Sequence, residues 1–189
     1  MKHENVLIFH NKNPAEGFTL TAKLADFGGT VMDMTPDEFH KMETWTWPFQ
    51  APEVTSDKRL TRSELKLTDV YSFGLLVWRA VEDGEGFVTL SGAAQTASDE
   101  DKRGLIELKA SDAFTKIAIG KVNEYMQTQE GSQDFLDLFS YVMFHTVRLQ
   151  PEDRNLVKAL AALRGIRYVF VNTLNMSFVL TQGKSRPCL

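Results

Sequence analysis

Thr68-Asp69-Val70-Tyr71-Ser72-Phe73-Gly74-Leu75-Leu76-Val77-Trp78-Arg79-Ala80-Val81 is the stretch whose reading decides the fold. It is apolar almost all round and lacks the polar face of a surface helix, so as a helix it runs through the middle of a domain. Thr68 and Asp69 suit its start: either can cap exposed amides, and a carboxylate is favoured at a helix N-terminus. By itself the run reads as a core helix and no more.

The chain around it has 189 residues, 43% of them hydrophobic, enough for one globular domain with a sizeable core. A net charge of -4 with no block of Lys or Arg makes nucleic acid a poor partner. The single cysteine, Cys188, cannot form an internal disulfide, and the chain opens without a basic flank followed by a long apolar segment. These features are expected of an intracellular protein, cytoplasmic or nuclear, that has no membrane partner. Cys188 stands second from the end and does not match a prenylation box. There is no internal repeat or low-complexity tract.

Val6 to Phe9 is a short apolar run that reads as a buried strand, and Thr19 to Leu24 alternates as a half-buried one. His10 to Gly17, rich in Asn, Pro and Gly, is turn material between them. The two strands form a hairpin, which brings the start of the first beside the end of the second. Asn5 and Asp26 are therefore expected at the same open end.

Asp26-Phe27-Gly28 follows the second strand, and Ala51-Pro52-Glu53 begins 25 residues later, just before the long helix. Together with Asp69-Val70-Tyr71-Ser72-Phe73-Gly74, and in this order, the three motifs resemble the second half of a protein kinase domain. Lys2-His3-Glu4-Asn5 is similar to the end of that family's catalytic loop, with His3 in place of the usual proline, and Lys2 points to the Ser/Thr class. The resemblance covers roughly Lys2 to Arg154. It implies an α+β, mostly α-helical fold: a kinase-like large (C-terminal) lobe with a short β-hairpin and a central buried helix, the small lobe missing. Residues 1–164 would form this lobe and residues 165–189 an appended tail.

The same resemblance assigns roles. Asp26, with Phe27 and Gly28 beside it, would hold the magnesium that bridges the ATP phosphates, and Asn5 would bind a second metal. Side-chain oxygens of this kind suit a hard cation that completes its shell with phosphate oxygens. Lys2 would neutralise charge on the transferred phosphate. Thr46 and Phe49 match the substrate-docking segment, although Trp45 stands where glycine is usual. Glu53 and Arg154, the latter ending Gln150-Pro151-Glu152-Asp153-Arg154, would form a buried ion pair, a fold staple without chemistry. The counterpart of Asp69 hydrogen-bonds the catalytic-loop backbone, so here its carboxylate needs other partners. Thr30, Thr35 and Thr44 lie where regulatory phosphate could be accepted.

The family's catalytic aspartate precedes the loop lysine by two residues and would fall before Met1. The expectation is therefore a fragment of a Ser/Thr-type kinase domain, with ATP, magnesium and a protein substrate as family ligands and no phosphotransfer by this chain alone. The alternatives are a non-catalytic kinase-like module presenting its large-lobe surface to a protein partner, and an incomplete gene product.

Elsewhere, Thr35, Pro36 and Asp37 suggest a loop giving way to a short helix. Glu82 to Asp101 reads as a long acidic surface loop, and Leu105 to Met126 as helices interrupted by Gly104 and Gly120. Phe135 to Thr146 has clear amphipathic spacing, with Asp134 in the first turn, and His145 on it reads as a packed or exposed side chain. Asn155 to Leu163 suggests a last helix capped by Gly165, and Ile166 to Thr181 a strand that the kinase resemblance does not anticipate.

Overall fold

The computed structural model describes residues 2–13, 17–31, 34–42, 47–54, 58–82, 98–128 and 132–165. The expected strand over 166–181, Thr44, Trp45, Thr46 and residues 83–97 of the acidic loop lie outside these. Among the described residues the fold is α+β and mostly helical, with five α-helices and two small antiparallel sheets.

Thr61, rather than Thr68, opens the central helix α1 (Arg62–Val81). Its hydroxyl accepts from the Glu64 amide at 3.3 Å, and the Glu64 carboxylate accepts from the Thr61 amide at 2.8 Å, a reciprocal capping box. Thr68 is nearly two turns inside, its hydroxyl turned back to the Leu65 carbonyl at 2.7 Å. Capping works only where orphan amides exist, and the two amphipathic turns ahead of the apolar run are themselves helical. Val70, Tyr71, Gly74, Leu75 and Trp78 are buried along the helix. Trp78 sits edge-on to Phe114 with ring centroids 5.6 Å apart, and its indole N–H donates to Glu82 at 2.9 Å. Glu82 is thus buried beneath the helix end and does not belong to a solvated acidic face.

Four helices pack on or around this rod. Helix α2 (Asp99–Lys109) is capped by Ser98 and Asp101, so the last acidic residues of the expected loop form a first turn that complements the helix dipole. Helix α3 (Ala113–Thr128) follows after a short break at Ala110–Asp112, where the Ala110 and Ser111 amides bond back to Ile106 and Leu108. Gly104 and Gly120 lie inside these helices and interrupt neither, because packing of the apolar stripe outweighs the roughly 1 kcal/mol that an interior glycine costs. Helix α4 (Gln133–Thr146) starts at the Ser132 cap, and α5 (Leu156–Gly165) at Asn155, whose side chain accepts from the Lys158 amide. Gly165 is the last residue of α5, where the sequence places a cap beyond it.

The core joins Leu75 and Trp78 of α1 to Phe114, Ala118 and Val122 of α3 and Phe139 and Met143 of α4. Each large apolar side chain removed from water here contributes about 1.5–3 kcal/mol. Helices α1 and α4 meet closely at Gly74, where a Cβ would run into the side chains of Thr146 and Val147.

Strands β1 (Val6–Asn13) and β2 (Gly17–Leu24) pair antiparallel from Val6↔Leu24 to Asn13↔Gly17, so the ladder consumes most of the expected turn. The reading of Val6–Phe9 as a buried strand is corrected: Leu7, Ile8, Phe9 and Leu24 are 42–56% exposed. An apolar run records only a preference for burial, and no second layer covers this two-stranded ribbon among the described residues. The short helix expected at Pro36 is also replaced. Glu38 accepts from both the amide and the hydroxyl of Thr35, closing a turn that leads into β3 (Phe39–Lys41), which pairs antiparallel with β4 (Arg59–Thr61). Among the described residues no helix is long and apolar enough to cross a membrane.

Candidate functional site

The hairpin's open end and the start of α1 enclose a cleft of about 590 Å³, lined by Lys2, Asn5, Asp26, Phe27, Thr68 and Asp69, among others. A 3-10 turn over His3–Asn5 carries Asn5 into it. The Asn5 carbonyl accepts from the Ala25 amide at 2.8 Å, one step beyond the last strand pair, so Asn5 and the residue before Asp26 are tied backbone to backbone.

Asp26 has φ of 59°, in the left-handed region that Asp tolerates better than most side chains. Its carboxylate accepts weakly from the Gly28 amide at 3.4 Å, and the Phe27 carbonyl accepts from Thr30 at 3.0 Å, so the chain folds tightly around Asp26. A backbone outlier of this kind costs about 1–3 kcal/mol and is typical of functional loops. Phe27 projects outward, 60% exposed.

Helix α1 and the segment before it form the opposite wall. Partial desolvation raises the Asp69 carboxyl above its ordinary range. The Ser72 hydroxyl lies within hydrogen-bond distance of the Phe49 carbonyl, 3.0 Å, and of the Thr68 carbonyl, 3.1 Å, pinning the 47–50 segment to the helix. Phe49 is 2% exposed, so it belongs to the core as well as to the cleft floor. Thr46 lies outside the described residues.

Glu53 and Arg154, 101 residues apart, meet in a bidentate pair, one guanidinium nitrogen on each carboxylate oxygen at 2.5 and 2.8 Å. The Arg154 side chain is fully buried and that of Glu53 nearly so. Arg154 also donates to the carbonyls of Arg148, Leu67 and Leu149, so its whole fork is satisfied, and it stacks 4.8 Å from the centre of the Tyr71 ring. The pair ties the loop before α1 to the loop after α4.

One buried charge escapes the sequence. The Lys109 amine, at the end of α2, donates to the carbonyls of Pro48 and Gln50 and lies 5.7 Å from the Tyr71 ring centre. Burial pushes it down to about 7. Its only sequence signal is the i, i+4 step from Leu105, which places a lysine on the buried face. His145 contacts the rings of Tyr141 and Phe144, and desolvation, with Lys158 and Arg148 nearby, lowers its pKa.

Chemically, the residues that line the cleft include a carboxylate, Asp26, a side-chain amide, Asn5, and an amine, Lys2. Among the described residues no cluster of three His, Cys, Asp or Glu side chains could cage a metal. This donor set therefore does not fit a protein-only site. It does fit a hard divalent cation that takes its remaining ligands from phosphate oxygens and water.

No family model matches the chain, and no solved structure matches it. A protein of Acanthamoeba polyphaga mimivirus, named "Putative serine/threonine-protein kinase/receptor R826", is 33% identical over 81 residues. The match takes in 40% of this chain and 4% of the mimivirus protein, so this chain spans a small part of that relative's length. Over that stretch, the chain is similar in sequence to a kinase-type protein.

Proposed function

We propose that this chain is a kinase-related module: the large-lobe half of an ATP–magnesium cleft of the Ser/Thr type. The observation that supports the reading is that Asn5 and Asp26, read from separate motifs, both line one cleft and are linked by the hydrogen bond from the Ala25 amide to the Asn5 carbonyl. The limited similarity to the mimivirus sequence is in keeping with it. In this reading Asp26 and Asn5 hold the metal, which supplies charge neutralisation on the phosphates, and Lys2 adds a cation beside them. Asp69 and Thr68 shape the facing wall, and Glu53–Arg154 holds the loop that would dock a protein substrate. In this reading the described residues supply no second wall for the adenine and no counterpart of the family's catalytic aspartate, so weak nucleotide binding and no phosphate transfer are expected of the chain alone.

Thermal unfolding with ATP, with and without magnesium, tests this. The expected result is a magnesium-dependent stabilisation that emerges only at millimolar ATP, stays below about 1 kcal/mol and disappears in Asp26→Ala. Absence of any magnesium-dependent shift overturns the cleft assignment, and phosphate transfer to a protein by the isolated chain overturns the inactivity.

A second reading, a non-catalytic binding module, draws on the exposed side chains of Ile8 and Leu24, which share one face of the ribbon, since contiguous apolar surface marks interaction sites. Ile8→Ser with Leu24→Ser would then release a co-purifying protein without changing the fold.

A further inference from the structure

The β3–β4 ribbon and the first turns of α1 place four cations where local electrostatics disfavours each of them. Lys41 and Arg59 are directly opposite across the ribbon and both exposed, a like-charge cross-strand pair. Arg62 is the first residue of α1, where the helix dipole repels a cation, and Lys66 is four residues on, so the two repel along one face. Both line the cleft. The nearest carboxylate in sequence, Glu64, is already engaged by the Thr61 amide and hydroxyl and by Lys58 at 3.5 Å. Among the described residues none of Lys41, Arg59, Arg62 and Lys66 has an ion-pair partner. The fold itself, among the described residues, supplies no carboxylate to neutralise this strip.

We propose that this strip is a docking surface for an extended peptide segment of another protein carrying several Asp or Glu side chains. One carboxylate would sit between Lys41 and Arg59, and another at Arg62 and Lys66. Arg59 and Arg62 are three residues apart, at most about 10 Å of extended chain, so the matching acids stand about three residues apart in the bound peptide. Phe39 lies on the same outer face as Lys41 and is 59% exposed, offering an apolar contact between the charges that a peptide side chain can use. A nucleic acid fits less well, because the chain carries a net charge of -4 and four cations make a short strip, not the extended basic face that a phosphate backbone needs. The proposal goes beyond the nucleotide reading and stands without it, since it rests on charge placement alone.

Fluorescence anisotropy of a fluorescein-labelled peptide of repeating Glu-Ser-Ser units, titrated with the full chain, tests it. Saturable binding is expected, weakened about tenfold or more by Lys41→Glu with Arg59→Glu and by Arg62→Glu with Lys66→Glu, and weakened by added salt. Gln variants at the same positions, confirmed as folded by circular dichroism, should give the intermediate loss. Four results would overturn the proposal: no saturable binding; equal binding of a Lys-Ser-Ser peptide; tighter, variant-sensitive binding of a single-stranded oligonucleotide; or variants that change only self-association in sedimentation. Asp26→Ala separates the two proposals, because it should abolish the magnesium-dependent ATP shift without weakening peptide binding.

Discussion

Helix α1 and the β1–β2 hairpin are both apolar in sequence, yet they occupy opposite extremes of burial. Leu75 and Trp78 are fully buried, whereas Ile8 is 56% and Leu24 47% exposed. The difference lies in what surrounds each. The rod is enclosed by α3, α4 and the loops that Arg154 stitches together, while the ribbon has its own ladder and no packed layer among the described residues. Stability therefore resides in the helical body, and the cleft residues Asn5 and Asp26 sit on the less supported element. A two-stranded ribbon is marginal on its own, so this wall of the cleft should open at lower free energy than the core.

The sharpest way to break this contrast is to cut into the body. Trp78→Ala should cost about 3–5 kcal/mol in urea unfolding, from lost burial plus the cavity against Phe114. Arg154→Ala should cost a similar amount, about 3–5 kcal/mol, because it strands the Glu53 carboxylate out of water. Replacing both members by Met should cost less than either single change, a non-additivity read from the double-mutant cycle.

Lys109 gives an intermediate effect with a pH signature. Its folded pKa, about 7, lies below the 10.5 of an ordinary lysine, so between those values the unfolded chain holds the extra proton. Stability should then rise as pH is raised from 7 towards 10, and Lys109→Met should flatten that rise relative to the parent in paired denaturation curves. At the other end of the scale, Ile8→Ser should change global stability by less than about 0.5 kcal/mol, while amide exchange in β1 quickens. A loss comparable to Trp78→Ala would mean that the ribbon is part of the core after all.

The helical body was legible because its signals are redundant. The run from Val70 to Trp78 is apolar enough to demand burial, and Phe135 to Thr146 repeats at helical steps, so both helices follow from periodicity. The true start of α1 was also written in Thr61-Arg62-Ser63-Glu64, a capping-box spelling that the eye passes over because the apolar run begins later. The meeting of Asn5 and Asp26 was legible because hairpin geometry alone dictates it. Burial of the ribbon was not, since whether an apolar strand is covered depends on the rest of the fold. Nor was the cationic strip, since Lys41 and Arg59 become neighbours only through strand pairing and form no block in the sequence. Glu82, read as part of an acidic surface loop, and Lys109, which the sequence does not single out, are buried because Trp78 supplies a donor to the one and the 47–50 backbone supplies acceptors to the other.

Gly74 has a reach longer than its size suggests. With no side chain there, the end of α4 rests directly against α1, and the carbonyls of Arg148 and Leu149 just beyond it are delivered to the Arg154 guanidinium. A single added methyl would act as a wedge, levering those acceptors away from the fork and loosening a clasp that joins residues 101 positions apart. Glycine at that position is thus the spacer that sets the reach of the clasp.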